Sequence, residues 1–205
     1  MTNRLIVDYK VHKIFPVPLF QFKIKNYKEL NLELESYILN LKKKDKIGQK
    51  KSNAGGWHSP FFNLEDKTPK KFLQNIREFL EKIIVNEMGW EYYPEKVKVL
   101  VMWSIINKKG SFNIQHNHPN SYLSGSYYVK FPKNSGKINF FDPKEQKNIR
   151  YPHTKKYTEL SAAVTSIEPE EGNLLLFPSY LYHSVDENKS DDDRIVISFN
   201  IDIIN

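Results

Sequence analysis

Gly172-Asn173-Leu174-Leu175-Leu176-Phe177-Pro178-Ser179-Tyr180-Leu181-Tyr182-His183 reads as a turn glycine, a buried apolar strand, a proline-bounded turn and a second strand that begins near the histidine. Eleven residues later Arg194-Ile195-Val196-Ile197-Ser198-Phe199-Asn200 alternates, so Arg194, Val196, Ser198 and Asn200 share one face. Everything from residue 97 onward has the same character. Strands are expected at about 97–107, 111–116, 122–131, 136–142, 161–168, 172–177, 182–186 and 194–203, each rich in β-branched or aromatic residues and bounded by Gly, Pro, Asn or Asp. Eight strands in about 105 residues imply a sandwich or barrel of jelly-roll type.

The upstream part differs. Residues 14–24 alternate well enough for a strand, which Pro16 and Pro18 push toward a sheet edge. Residues 27–44 read as a helix, with Leu30, Leu34, Tyr37, Ile38 and Leu41 on one stripe and Lys42, Lys43 and Lys44 at the negative end of its dipole. Residues 45–57, ending in Gly55-Gly56-Trp57, are loop by composition. A second helix is expected to start at Thr68 as N-cap with Pro69 at the first helical position, to bury Phe72, Ile76, Phe79, Leu80, Ile83, Ile84 and Met88, and to stop at Gly89. The expectation is a mainly β fold with two N-terminal helices packed on the larger sheet. It forms a single domain over 1–205, in which residues 1–96 support a β core over 97–205.

A composition of 40% hydrophobic and 14% aromatic residues supplies a real core and excludes a disordered chain. Without cysteine, any metal must be held by His, Asp or Glu. No stretch approaches the roughly 18 apolar residues that span a bilayer, and Met1 to Lys10 lacks a signal peptide's apolar run, so a cytoplasmic location without membrane contact is expected. The net charge of +7 is uneven: residues 1–100 carry 19 Lys/Arg against 12 Asp/Glu, and residues 101–205 carry 12 against 12. The excess, in Lys42, Lys43, Lys44, Lys46, Lys50, Lys51, Lys70 and Lys71, reads first as a solvated face; it also admits an acidic partner or nucleic acid.

Gln115-His116-Asn117-His118-Pro119 lies at the end of an expected strand, where residues i and i+2 point the same way, so both imidazoles can reach one metal ion. His183 is the third candidate ligand. Arg194 is one of only four arginines. If buried on its β-branched strand, it needs an anionic partner, for which a bidentate carboxylate would serve; otherwise it is a surface residue paired with Asp191, Asp192 or Asp193.

The order His-x-His, about 65 residues, His, 11 residues, Arg, x3, Ser resembles the 2-oxoglutarate- and iron(II)-dependent oxygenases, most of all their prolyl-hydroxylase branch. The resemblance implies a double-stranded β-helix (jelly roll, cupin-like), with His116 and His183 on iron(II), Arg194 and Ser198 on the far carboxylate of 2-oxoglutarate, and O₂ as the second cosubstrate. Gly125-Ser126-Tyr127-Tyr128-Val129 followed by Gly136-Lys137-Ile138-Asn139-Phe140-Phe141 is similar to a strand pair of that family, which maps Tyr128 against 2-oxoglutarate. Gly55-Gly56-Trp57, His116 to Pro119, Ser124 to Tyr128 and Leu176 to His183 are similar to a little-characterised group of such oxygenases from marine bacteria and phages. The Lys, Asn and Ile bias would suit an AT-rich phage genome, and the location would then be the host cytoplasm.

The family's usual metal site has two histidines and a carboxylate, whereas His118 stands at the carboxylate position. Three readings stand: three neutral imidazoles, favoured by the i, i+2 geometry; a carboxylate from Asp142; or a weak two-histidine site. A three-histidine site also suits zinc or nickel as surrogate metal. Asn107 and Trp103 are candidate pocket-lining residues. His12, His58 and His153 read as structural, with a substrate-side role as the alternative for His58, which follows the shared Gly55-Gly56-Trp57, and the long polar stretch 143–160 reads as a lid or substrate-binding element. The implied activity is a dioxygenase that hydroxylates a substrate, with a peptidyl side chain favoured by analogy. The alternatives are a catalytically inert metal-binding jelly-roll module and a three-histidine cupin-type dioxygenase that does not use 2-oxoglutarate. Oligomeric state leaves no trace in the sequence.

Overall fold

Alternation in the central strands sorts side chains into two cores, and those cores set the architecture. The computed structural model describes residues 8–91, 93, 95–144 and 152–203. Among these are strands β1 (Phe20–Lys23), β2 (Asn53–Ala54), β3 (Trp57–His58), β4 (Val97–Asn107), β5 (Phe112–His116), β6 (Leu123–Lys130), β7 (Ile138–Phe141), β8 (Val164–Ile167), β9 (Asn173–Pro178), β10 (His183–Val185) and β11 (Arg194–Ile203), with helices α1 (Tyr27–Lys44) and α2 (Lys67–Lys82). A six-stranded sheet runs β1-β9-β6-β11-β4-β3 and a five-stranded sheet β2-β5-β10-β7-β8. This is the expected double-stranded β-helix.

In β11, Ile195, Ile197, Phe199 and Ile201 point to one side of the larger sheet, where the helices lie. Arg194, Val196, Ser198 and Asn200 point to the other, between the sheets. The neighbours obey the same parity: Leu174 and Leu176 of β9 join the helix-side core, and Leu175 and Phe177 the inter-sheet core. The unbroken apolar run Leu174–Phe177 therefore marks a strand covered on both faces. Leu30, Leu34 and Ile38 of α1 and Phe72, Ile76 and Leu80 of α2 fill the helix-side core, with Tyr37 and Leu41 at its edge. Buried Asn31 pins α1 to the sheet: its Nδ2 donates to Val129 O at 2.7 Å and its Oδ1 accepts the Tyr127 hydroxyl at 2.7 Å. Gly125 is required where the Phe199 ring crosses it, since a Cβ there would stand 2.3 Å from a ring carbon.

Several expectations are corrected. The first strand shrinks to four residues, because Pro16 and Pro18 have no amide hydrogen to pair; it is an edge strand, as those prolines suggested. The second helix starts two residues early, with Asp66 rather than Thr68 as N-cap, and Pro69 is its third residue. The first-turn amides have no intrahelical acceptor, so a proline there costs the helix nothing. The chain continues after α2 through a π-helical turn at Ile83–Glu87 and stops at Gly89, whose φ is 65°. Phe79 lies at the rim, 37% exposed and stacked on Phe22 at 4.5 Å between centroids. The expected loop 45–57 contains β2 and the first residue of β3, two-residue strands induced by pairing with β5 and β4. Within the polar stretch 143–160, residues 145–151 lie outside the described residues.

Candidate active site

His116 is the last residue of β5, and His183 is the first of β10. Antiparallel pairing places His183 directly opposite His116. His118 lies two residues past the strand end and is held by its own amide, which donates to Ser179 O at 2.9 Å. The ring centroids are 4.3 Å apart for His116–His183 and 5.1 Å for each pair with His118. One nitrogen from each ring lies within 4.8 Å of the others, a group able to hold a metal ion.

Two rings have their tautomer fixed by main-chain carbonyls. His116 Nδ1 contacts Ile114 O at 2.8 Å and His183 Nδ1 contacts Leu181 O at 3.0 Å. A carbonyl only accepts, so Nδ1 carries the proton and Nε2 offers its lone pair. His183 is further locked against Phe177 and Phe140, with centroids 4.9 and 6.1 Å away. Burial, and then the neighbouring imidazole, lowers the pKa of His118 to about 4 and that of His183 to about 3; burial also lowers His116. All three imidazoles are neutral at pH 7, the form that binds metal.

A pH dependence follows. Above pH 6.5 these rings are neutral whether the chain is folded or not. Below it the unfolded chain takes up protons, while His118 and His183 in the folded chain resist until about pH 4 and 3. The metal-free protein should lose on the order of a few kcal/mol of stability between pH 6.5 and 4. Chemical denaturation across that range measures it; a His118→Asn/His183→Asn variant should show a flatter profile, and equal slopes would exclude these rings as the cause.

The histidines open on a cavity of about 440 Å³ between the sheets. Arg194, only 1% exposed, lines the same cavity. Its Nη1 donates to the carbonyls of Ser135 and, at 3.3 Å, Asp186, while its Nη2 has no partner. Carbonyls orient the guanidinium without neutralising it, so a buried cation is aimed into a cavity with one donor unused. The surface reading is overturned, since Asp191 and Asp192 pair with Lys109 and Lys130 instead. Burial lowers the Arg194 pKa to about 10, which leaves it charged at pH 7. Burial raises the Tyr128 phenol well above its ordinary range, so it remains a hydroxyl donor. Ser198 and Val196, on the same face of β11 as Arg194, line the same cavity.

The other candidates separate. Trp103 and Asn107 both line the cavity; Trp103 stacks on His58 at 5.8 Å and reaches His118 at 5.5 Å, while Asn107 donates to Asn113 Oδ1 at 2.9 Å. Asp142 does not join the histidines. It lines a second cavity with Val17, Leu19 and Leu181, and its Oδ1 accepts the Lys144 amide at 3.0 Å. The chain turns outward after β7, which carries that carboxylate away from the site. His12 lines the same second cavity, and His153 is exposed. Sequence reasoning missed Ser126, Asn113 and Lys51 on the cavity wall, and the carbonyls that grip Arg194. Ser126 was findable, being two residues before Tyr128 on the same strand face.

Three ring nitrogens able to hold a metal ion, beside a cavity with a buried guanidinium and inside a double-stranded β-helix, fit the class of non-haem metal oxygenases. The family model described as "Putative 2OG-Fe(II) oxygenase" matches residues 101–200, and the chain belongs to the 2-oxoglutarate- and iron(II)-dependent oxygenases. No curated protein matches it. Among solved structures it is similar to a prolyl-4-hydroxylase of Pseudomonas putida, with a TM-score of 0.65 at 12% identity over 92% of this chain and 94% of that one. It is also similar to a prolyl hydroxylase of Trichoplax adhaerens bound to a hypoxia inducible factor peptide fragment, with a TM-score of 0.63 at 14% identity over 90% and 83%. HygX of Streptomyces hygroscopicus, bound to nickel, 2-oxoglutarate and hygromycin B, gives a TM-score of 0.64 at 10% identity over 91% and 83%. Likeness at such low identity establishes the shared fold. Among the described residues no helix is long and apolar enough to cross a membrane.

Proposed function

We propose that this oxygenase hydroxylates a peptidyl side chain, with His116, His118 and His183 as iron(II) ligands and with Arg194, Ser198 and Tyr128 on the far carboxylate of 2-oxoglutarate. One observation carries the reading: Arg194 is a buried, charged guanidinium whose Nη2 lacks a partner and which faces the same cavity as the three imidazoles. A dicarboxylate satisfies that donor, and a dioxygenase without such a cosubstrate has no use for it. Three neutral imidazoles are a fitting donor set for iron(II), and for nickel or zinc in its place. A peptide substrate is supported by the peptide-bound Trichoplax relative of the same fold.

Iron(II) held by the three imidazoles would, with 2-oxoglutarate and O₂, supply the oxidising chemistry: decarboxylation of 2-oxoglutarate to succinate and CO₂ with insertion of the other oxygen atom of O₂ into a substrate C–H bond. The chain supplies the frame. Leu181 and Ile114 carbonyls hold the Nδ1 protons of His183 and His116, so neither ring can turn its donor nitrogen away from the site. Arg194 fixes the reach of the cosubstrate from the opposite end, and Tyr128 adds a neutral phenol proton. Phe140 and Phe177 behind His183 exclude water from that side.

The test is succinate formation from 2-oxoglutarate by purified protein supplied with iron(II), ascorbate and O₂. Succinate should accumulate only with metal and 2-oxoglutarate both present, and a peptide substrate should gain the mass of one oxygen atom. An iron-loaded protein that leaves 2-oxoglutarate untouched and unbound contradicts the proposal.

A further inference from the structure

The mouth of the cavity has a chemistry of its own. On one wall stand His58, in the larger sheet's edge strand β3, and Phe61 just beyond it, both against Trp103; on the other stand Lys51, Ser52 and Ile114. The segment that carries Lys51 is pinned to both walls, since the Gln49 amide donates to His58 O and the Ile114 amide to Ser52 O, each at 2.9 Å. The Lys51 amide itself donates to Asn53 Oδ1 at 2.9 Å, so its backbone position is fixed. Phe61 and Ile114 leave 55% and 53% of their surface open, an apolar pair at the rim.

Charge at this mouth is one-sided. The described residues that line the cavity include Lys51 and Arg194 but no Asp or Glu. Among the described residues Lys51 makes no ion pair. Its field reaches inward: after burial, the Lys51 charge helps to lower the proton affinity of His58. In a loaded site the dianionic cosubstrate would offset the divalent metal, and with His118 in place of a carboxylate no ligand removes further positive charge. The charge of Asp186, outside the lining, acts on Arg194, which leaves Lys51 as the unmatched cation at the mouth, and such a cleft concentrates anions.

We infer that the substrate is an acidic peptide, whose reacting apolar side chain passes between Phe61 and Ile114 toward His118 while a nearby carboxylate on the same peptide pairs with Lys51. The inference rests on the peptidyl-hydroxylase reading above and narrows it to one class of sequence. Phe61 and Ile114 provide the apolar contacts, and Lys51 selects against basic neighbours.

Two pools of N-acetylated, C-amidated heptapeptides test it. Each has a randomised apolar centre; one is flanked by Glu, the other by Gln. Both are titrated into protein loaded with Mn(II) and 2-oxoglutarate, and binding is read from tryptophan fluorescence, to which Trp103 on the inner wall contributes. The Glu pool should bind about three- to ten-fold more tightly, the scale of a partly exposed ion pair. Lys51→Glu should reverse that order. Lys50→Glu makes the same change in net charge on a neighbouring exposed side chain outside the lining, and should keep it. A Glu pool that binds no better than the Gln pool, or not at all, overturns the inference, as does a preference that survives Lys51→Glu. The 2-oxoglutarate affinity of the same wild-type samples separates the failures. Normal cosubstrate binding without the acidic preference removes only this inference; absent cosubstrate binding removes the oxygenase assignment beneath it.

Discussion

Replacing Arg194 with alanine should weaken 2-oxoglutarate binding by roughly 10- to 150-fold, equivalent to about 1.5–3 kcal/mol, the range for a hydrogen bond to a charged group. The direction follows from what the side chain lacks. Its Nη1 is already committed to the carbonyls of Ser135 and Asp186, whereas Nη2 is buried and unpaired. An incoming carboxylate therefore repairs a deficit in the empty site, and alanine removes both deficit and repair. Arg194→Lys should fall between the two, because an ammonium keeps the charge but cannot hold two carbonyls and a ligand at once. Titration of 2-oxoglutarate into Mn(II)-loaded protein measures all three affinities. Mn(II) affinity in the absence of 2-oxoglutarate is the control, since Arg194 is not in the metal group; an altered value would report damage to the fold instead. Equal 2-oxoglutarate affinity in wild type and Arg194→Ala would leave the guanidinium without its assigned partner.

The parts of this site that depend on strand parity were legible in the sequence. Arg194, Val196, Ser198 and Asn200 face the cavity because a strand has a period of two, and the same rule puts Ile195, Ile197 and Phe199 under the helices. His116 and His118 were paired by the same i, i+2 rule, although His118 lies beyond the strand end and is held by its amide bond to Ser179 O. What the sequence could not reveal depends on which strands become neighbours. His183 meets His116 only because β10 is inserted beside β5 in the smaller sheet, a choice made by the whole topology. Asp142 follows its strand closely enough to look like a ligand, yet the chain turns it into another cavity. The grip on Arg194 comes from backbone carbonyls, which every residue possesses, so no side-chain pattern marks them. One trace exists: Gly136, with φ of 94°, lies where a Cβ would come within 2.9 Å of Nη1 and 2.6 Å of the Asp186 carbonyl oxygen. In the sequence Gly136 only opens the expected strand 136–142; close packing against the guanidinium explains it in the fold. The strands β2 and β3 were invisible for a related reason. Two residues carry no periodicity, and they become strands only by pairing with β5 and β4.

His183→Ala should abolish metal-dependent stabilisation. A ligand present at a hundred times its dissociation constant raises the stability of a folded protein by about 2.7 kcal/mol. Wild-type protein at such a concentration of Mn(II) or Ni(II) should show that gain in chemical denaturation, and the variant at the same concentration should show little of it. His183 is the most demanding ligand to lose, since its ring is fixed between Phe177, Phe140 and the Leu181 carbonyl and no other described His, Cys, Asp or Glu joins the group. Truncating it also opens a hole in the inter-sheet core, so the metal-free variant should be less stable by about 2–4 kcal/mol whatever the ion does; the diagnostic is therefore the difference between metal-loaded and metal-free curves of the same variant. Two further substitutions sharpen the result. His58→Ala, which removes a cavity-lining ring whose Nδ1 is spent on Ser59 O, should leave the metal-dependent gain in place. His118→Asp should also retain it, because a carboxylate there recreates the two-histidine, one-carboxylate set common among non-haem iron oxygenases. A gain that survives His183→Ala but disappears with His58→Ala would move the ion toward the mouth and dismantle the three-imidazole site. A gain lost with His183→Ala and kept with His118→Asp would show that the position of residue 118 matters more than its imidazole, so that this chain carries histidine at a site that also accepts the acid.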